Sequence, residues 1–130
     1  MRRLILIAGL FLLVLEACGP KISAIRTEEV SFISLGDTLR GVLSKPKGSG
    51  PFPAVVMIHG AAPATRKNYR EFTRALVHQG VAVLNYDKRG CGASGGIMWY
   101  ADFNDLGSDA AAGLSLLKAR EDIDPDRLGY

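Results

Sequence analysis

The stretch that decides the fold is residues 53–60, which read Pro-Ala-Val-Val-Met-Ile-His-Gly. Residues 54–58 form a continuous apolar run between Pro53 and the His-Gly pair. A run of this kind, rich in β-branched residues, predicts a strand that is buried on both faces. Because ligands of open α/β sheets bind outside the carboxyl ends of the strands, the loop that begins at His59 is the first candidate for chemistry.

Strand-like and helix-like segments alternate around this stretch. Residues 28–35 and 38–43 predict an antiparallel hairpin that turns at Gly36 and Asp37. After the central run, the pattern predicts a helix that begins with a capping box of Asn68 and Glu71 and ends at Gly80. A buried strand at 81–86 and a glycine-rich loop at 87–98 follow. The last predicted elements are a helix through 103–117 and a strand that begins at 128. Strands that alternate with helices predict a parallel sheet with helices on its faces.

Length and composition indicate one folded domain. A chain of 130 residues suits a single domain, and its 48% hydrophobic content argues against disorder. The net charge of +3 comes from 16 basic and 13 acidic residues. These charges are scattered and form no basic run, so nucleic acid is not an expected partner.

The amino terminus has the pattern of an export signal. Met-Arg-Arg precedes an apolar run over residues 4–15, which is short for a membrane span. Cys18 follows a small residue, as at a bacterial lipoprotein cleavage site, although Glu16 departs from that pattern. We therefore expect a signal peptide at 1–17, a linker at 18–27 and a lipidated Cys18 that anchors the protein to a membrane of the cell envelope. The alternative is ordinary cleavage nearby, which leaves a secreted or periplasmic protein.

Two motif matches fall in the glycine-rich loop. Residues 90–95 match the dinucleotide-binding pattern G-x-G-x-x-G, but that pattern requires a helix to begin at its third glycine. Residues 92–96 match the nucleophile-elbow pattern G-x-S-x-G, but the elbow serine lies on a sharp turn directly between strand and helix. Ser94 lies inside a long loop, so we expect a turn serine. An NAD-type redox domain that uses residues 90–95 stays as the alternative.

Three motifs, taken together, resemble the amino-terminal half of an α/β-hydrolase, closest to the dienelactone-hydrolase and prolyl-oligopeptidase-like esterases and peptidases. They are Leu39-x-Gly41-x-Leu43-x-x-Pro46, then His59-Gly60-x-x-Pro63-x-x-Arg66, then Tyr86-Asp87-x-Arg89-Gly90-x-Gly92-x-Ser94. The resemblance covers residues 28–130. It implies an α/β fold in which an antiparallel hairpin is followed by parallel strands with crossover helices, here incomplete.

The resemblance also implies a function. It implies an exported serine hydrolase that cleaves an ester, thioester or peptide bond through an acyl-enzyme, with a small-molecule or peptide substrate and no cofactor or metal. His59, Gly60 and Ala61 would form the oxyanion loop, with the N–H of Ala61 as a donor. The residues expected in a structural loop beside the site are Asp87, Arg89, Gly90, Gly92 and Ser94.

The triad is expected outside this chain. The order Ser, Asp or Glu, then His places all three catalytic residues after Tyr130, whereas both histidines, His59 and His78, lie before it. The chain alone is therefore expected to be inactive. It is also expected to aggregate, because a strand at 128–130 is too short to cover the buried strands. A non-catalytic exported binding lipoprotein stays as a second alternative, and the substrate is not determined by these residues.

Overall fold

The computed structural model describes residues 25–130 as a mixed five-stranded sheet with one helix on each face. In chain order the elements are β1 (Arg26–Ser34), β2 (Asp37–Lys45), β3 (Phe52–Val56), α1 (Arg70–His78), β4 (Ala82–Tyr86), a 3-10 turn (Met98–Tyr100), α2 (Phe103–Lys118) and β5 (Ile123–Gly129). None of the helices in this part of the chain has the length and hydropathy that a membrane crossing requires. The predicted signal peptide and Cys18 lie outside the described residues, and β1 begins within the predicted linker.

The order of the strands is β1-β2-β4-β3-β5. β1 and β2 form an antiparallel hairpin, β2 runs antiparallel to β4, and β3 runs parallel to both β4 and β5. This topology confirms the predicted α/β fold. At the hairpin turn Leu35 and Gly36 both have positive φ, 50° and 85°, as a two-residue turn between twisted strands requires.

The two central strands differ in burial. All five residues of β4 are buried, which confirms the prediction for this strand. In β3 Ala54 and Val56 are buried, but Val55 is only half-buried and Ile58, beyond the end of the strand, is 42% exposed. The prediction of a strand at 54–58 buried on both faces is therefore wrong for β3, because α1 lies over β4 and β2.

The hydrophobic core lies between the sheet and α2. Its fully buried side chains include Leu39 and Leu43 of β2, Leu84 of β4 and Leu117 of α2. Gly113 lets α2 approach closely, since a Cβ at this position would lie 3.3 Å from the side chains of Leu84 and Val56. Leu39, Gly41 and Leu43, which lie on one face of the hairpin, are all buried.

The first helix begins differently from the prediction. The N-cap of α1 is Tyr69, and no side chain caps the helix. Asn68 instead accepts hydrogen bonds from the backbone N–H and the hydroxyl of Thr65, which uses the oxygen that a capping box needs. The buried face of α1 carries Thr73 and Val77, whereas Phe72 is 66% exposed.

The capping box occurs at the second helix. The side chain of Asp102 accepts from the N–H of Asp105, and the side chain of Asp105 accepts from the N–H of Asp102. These reciprocal bonds satisfy N–H groups at the start of α2 that have no partner inside the helix.

The last strand is longer than predicted. β5 begins at Ile123 and pairs with β3, with an irregular register opposite Phe52 and Ala54. Such an irregularity accommodates Pro125 within the strand. β3 and β4 therefore each have a neighbour on both sides, and the stated cause of the expected aggregation is wrong.

Candidate active-site loops

Two loops leave the same edge of the sheet, because β3 and β4 are parallel neighbours. We call residues 57–69 the β3 loop and residues 87–97 the β4 loop. The sequence assigned the candidate oxyanion residues to the β3 loop and the structural residues to the β4 loop. The structure brings both groups together, and several contacts connect the two loops.

His59 anchors the start of the β3 loop. Its ring is 8% exposed and packs against Tyr69 and Tyr86, with ring centroids 5.5 Å and 5.3 Å away. Burial is the main cause that lowers the pKa of His59, and the charge of Lys88 acts in the same direction. Neither ring nitrogen makes a hydrogen bond within residues 25–130. His59 is therefore a packing residue whose charged form is disfavoured by burial.

Tyr86 shares this buried environment. Burial raises the pKa of Tyr86 to about 12, with a smaller contribution in the same direction from the charge of Asp109. The tyrosine thus stays in its neutral form well above physiological pH.

Lys88 holds the backbone of the β3 loop. This lysine is 3% exposed, and its ammonium donates to three successive carbonyl oxygens, of Gly60 at 2.9 Å, Ala61 at 3.0 Å and Ala62 at 3.3 Å. Its own backbone N–H donates to the carbonyl of Ala64 at 3.1 Å. Sequence reasoning missed Lys88, although a lysine two residues after a fully buried strand is a signal that its charge needs a partner nearby.

This arrangement sets the direction of the N–H of Ala61. The peptide between Gly60 and Ala61 is trans, so its C=O and N–H point in opposite directions. Because the carbonyl of Gly60 points at Lys88, the N–H of Ala61 points away from it. This N–H donates to no acceptor in the described part of the chain. Ala61 also lines a cavity of about 300 Å³, together with Lys88, Met98, Ala101, Asp102, Phe103 and Leu106.

The β4 loop is fixed by Asp87 and Ser94. The buried carboxylate of Asp87 accepts from the backbone N–H groups of Arg66 and Ala93, each at 2.8 Å, and pairs with the guanidinium of Arg66. The Ser94 hydroxyl donates to the carbonyl of Asp87 at 2.6 Å and accepts from the backbone N–H of Arg40 at 2.9 Å. Ser94 thus joins the loop to β2, which supports the expected structural role.

Arg89 connects the β4 loop to α2 and to the hairpin. Its guanidinium donates to both carboxylate oxygens of Asp109, at 2.6 Å and 3.2 Å, and also pairs with Asp37. Burial by itself lowers the pKa of Arg89, but the hydrogen bond and charge of Asp109 outweigh it and the pKa is raised. Asp109 lies on α2. The structure shows it fully buried as the partner of Arg89.

The glycines of the β4 loop have a local explanation. Gly90 and Gly92 have φ of 68° and 54°, in the region that favours glycine. A Cβ at Gly92 would lie 2.5 Å from the Asp87 carboxylate, and one at Gly90 would lie 2.5 Å from the backbone nitrogen of Met98. Since α2 begins only at Phe103, the helix that a dinucleotide loop requires is not adjacent. The geometry therefore does not support the NAD alternative.

The α/β sheet, with a His-Gly loop and an Asp-x-Arg-Gly loop at one edge, agrees with the resemblance to an α/β-hydrolase. Residues 49–127 match the Hydrolase_4 family, described as serine aminopeptidase, S33. The chain belongs to this family, which confirms the resemblance inferred from the motifs.

Two curated proteins are similar in sequence. The chain is 33% identical to esterase EstD of Thermotoga maritima over 92 residues, which cover 65% of this chain and 22% of EstD. It is 42% identical to esterase FrsA of Yersinia enterocolitica over 69 residues, which cover 52% of this chain and 17% of FrsA. The chain thus matches about a fifth of the length of each of these relatives.

Solved structures show the same fold. An acetyl xylan esterase from Paenibacillus sp. R4 has a TM-score of 0.68 at 23% identity, with 87% of this chain and 42% of that chain covered. A dienelactone hydrolase-like promiscuous phosphotriesterase from metagenomic libraries has a TM-score of 0.65 at 22% identity, with 82% and 49% covered. At these sequence identities, both comparisons show a shared fold.

Proposed function

We propose that this chain supplies the oxyanion-loop side of an exported serine hydrolase that cleaves carboxylic esters. The observation that carries the proposal is the N–H of Ala61, which has no acceptor in the described residues and belongs to a residue that lines a cavity beyond the carboxyl end of β3. In the reaction, a serine hydroxyl adds to the substrate carbonyl while its proton passes to a histidine. The carbonyl oxygen becomes an oxyanion, and the N–H of Ala61 donates a hydrogen bond to it.

Ester cleavage is favoured over peptide cleavage by the two curated relatives, since both are named esterases. Thioesters and peptides follow the same acyl-enzyme route. The substrate is proposed to be a small molecule, because the cavity beside Ala61 has a volume of about 300 Å³, which lies at the lower end of ligand pockets.

The nucleophile is proposed to come from outside residues 25–130. The hydroxyl of Ser94 is engaged on both sides, by Asp87 and by Arg40, and it does not lie between a strand and a helix. His59 is buried against two tyrosines and His78 lies on α1. We therefore expect the 130-residue chain to be inactive alone.

Two measurements test this assignment. The 130-residue chain is treated with a serine-reactive fluorophosphonate and assayed with a p-nitrophenyl ester, beside Ser94→Ala. We expect no labelled serine and no turnover that depends on Ser94. A chimera in which this chain replaces the aligned segment of EstD is then expected to hydrolyse the ester. Labelling of Ser94, or a folded chimera without activity, would contradict the proposal.

We also propose export and lipidation at Cys18, which rest on residues outside the described part of the chain. The basic start, the apolar run at 4–15 and the small residue before Cys18 motivate this proposal. Labelled fatty acid is expected to enter the wild-type chain and not Cys18→Ser. A mature protein that begins after Cys18 would show that lipidation does not occur.

A further inference from the structure

A groove of about 600 Å³ lies beside α1, on the sheet face opposite the core. One wall is α1 and the turn before it, the other wall is the β1–β2 hairpin, and the floor contains Ser44, Thr73 and Asn85. We call it the basic groove. It is separate from the proposed oxyanion N–H, which lies at the carboxyl edge of the sheet, although Arg66 and Lys67 of the β3 loop line the groove.

The walls of the basic groove carry an excess of positive charge. Four cationic side chains line it: Arg66, Lys67, Arg70 and Arg74. Glu29 is the one acidic residue that lines it in the described structure, and Glu29 pairs with Arg66. The other three cations form no ion pair within residues 25–130, and Arg70 and Arg74 are exposed on one side of α1. A concave surface with uncompensated positive charge attracts anions.

The floor of the groove contains an acceptor that lacks a donor. Asn85 is 4% exposed, and its amide nitrogen donates to the hydroxyl of Thr73 at 2.8 Å. That hydroxyl donates in turn to the carbonyl of Tyr69 at 2.8 Å. The side-chain oxygen of Asn85 therefore receives no hydrogen bond in the described structure. Buried acceptors normally have a partner, but this oxygen is itself fully buried, so the groups that the groove offers to a ligand are its cationic walls.

The start of the described chain indicates where such a ligand would be. Ile25 lines the groove and follows Cys18 by seven residues. Even a fully extended segment of this length spans at most about 25 Å. A lipid on Cys18 would thus keep the basic groove close to the bilayer surface, where anionic phospholipids attract lysine and arginine.

We propose that the basic groove binds the phosphate of an anionic phospholipid headgroup, with Arg70 and Arg74 as the main contacts. This inference deepens the proposed function, since the location at a membrane rests on the lipidation of Cys18. The phosphate chemistry of the groove does not depend on lipidation. A phosphatidylglycerol headgroup fits, because its phosphodiester carries a negative charge that Arg70 and Arg74 can pair with.

The test is vesicle flotation of the full chain with three double variants. Arg70→Gln with Arg74→Gln removes two charges from the groove, and Arg70→Lys with Arg74→Lys keeps them. Lys47→Gln with Lys118→Gln removes two charges from exposed positions elsewhere. The vesicles are phosphatidylcholine with or without phosphatidylglycerol, and circular dichroism confirms that each variant is folded.

We expect the groove glutamine variant to bind phosphatidylglycerol vesicles about tenfold more weakly or worse, and the lysine variant and the distant glutamine variant to bind within about twofold of wild type. Pure phosphatidylcholine should not distinguish the proteins. If the variants differ in the same way in a Cys18→Ser background, the groove binds the headgroup whether or not Cys18 is lipidated. Equal losses for both glutamine variants would overturn it, since they indicate diffuse charge. Binding of glycerol phosphate or duplex DNA that depends on Arg70 and Arg74, without vesicle binding, would overturn the lipid assignment.

Discussion

The β3 loop and the β4 loop begin side by side and are built in opposite ways. The β4 loop is fixed by side chains that reach three other elements, through Asp87, Arg89 and Ser94. The β3 loop is fixed through its carbonyls, which converge on the single ammonium of Lys88. The polar groups of the β4 loop are engaged by other parts of the fold, whereas the N–H of Ala61 in the β3 loop has no acceptor in the described residues.

Their glycines show the same difference. Gly92 is required by the close approach of Asp87, but a Cβ at Gly60 would meet nothing within 4 Å. Gly92 is therefore required by packing within the fold, whereas Gly60 lies in open space. The β4 loop, which has the stronger motif matches, is therefore a structural loop. The β3 loop, which has the weaker motif, carries the proposed chemistry.

The largest effect is expected from the ion pair that holds the β4 loop. Asp109→Asn leaves the buried guanidinium of Arg89 without its main partner and should lower the free energy of unfolding by about 3–5 kcal/mol. The measurement is the midpoint of urea unfolding. Asp126→Asn, at an exposed position, is the control and should change it by less than about 0.5 kcal/mol. Equal, small effects would show that this pair does not fix the loop.

The glycine contrast is tested by a matched pair of substitutions. Gly92→Ala forces a Cβ against Asp87 at a positive φ and should cost about 2 kcal/mol. Gly60→Ala enters open space and should cost less than about 0.5 kcal/mol. The two unfolding midpoints are compared under the same conditions. A Gly60→Ala variant as unstable as Gly92→Ala would contradict the difference between the loops.

Replacement of Lys88 tests how the β3 loop is held. Lys88→Met keeps the length of the side chain and removes the donor to three carbonyls. Solvent replaces part of these bonds, because residues 60–62 are exposed, so we expect a loss of about 1 kcal/mol. The amide resonances of residues 60–62 should shift strongly in an NMR spectrum. Unchanged resonances would show that Lys88 does not orient the loop.

The smallest expected effect is a pH dependence from His59. Its pKa lies below the ordinary 6.5 in the folded chain, so the unfolded chain binds more protons just below that pH. The free energy of unfolding should therefore fall as the pH decreases from about 7 to about 5. His59→Phe should flatten this slope, whereas His78→Gln should leave it. A slope that is identical in His59→Phe would exclude His59 as its source.

The sequence was sufficient for the features that follow local periodicity and for the motif loops. The hairpin, the buried β4 and the end of α1 near Gly80 were predicted. The hairpin turn lies one residue earlier than predicted, and β3 ends at Val56, so His59 lies within the following loop. Lys88, Asp109 and the Asn85–Thr73 pair were missed as partners. Each depends on contacts with residues 12 to 28 positions away in the chain, and no local pattern records which distant side chain a polar residue meets. The length of β5 was missed because Pro125 interrupts its pattern.

The most direct test of the account is made in the EstD chimera. Replacement of Ala61 by lactic acid substitutes an ester oxygen for its N–H and leaves the side chain unchanged. Loss of this donor should lower kcat by about 10²–10³ with little change in KM, whereas Ser94→Ala should retain kcat. An unchanged kcat without the Ala61 N–H, or loss of activity in a folded Ser94→Ala chimera, would contradict the assignment of the two loops.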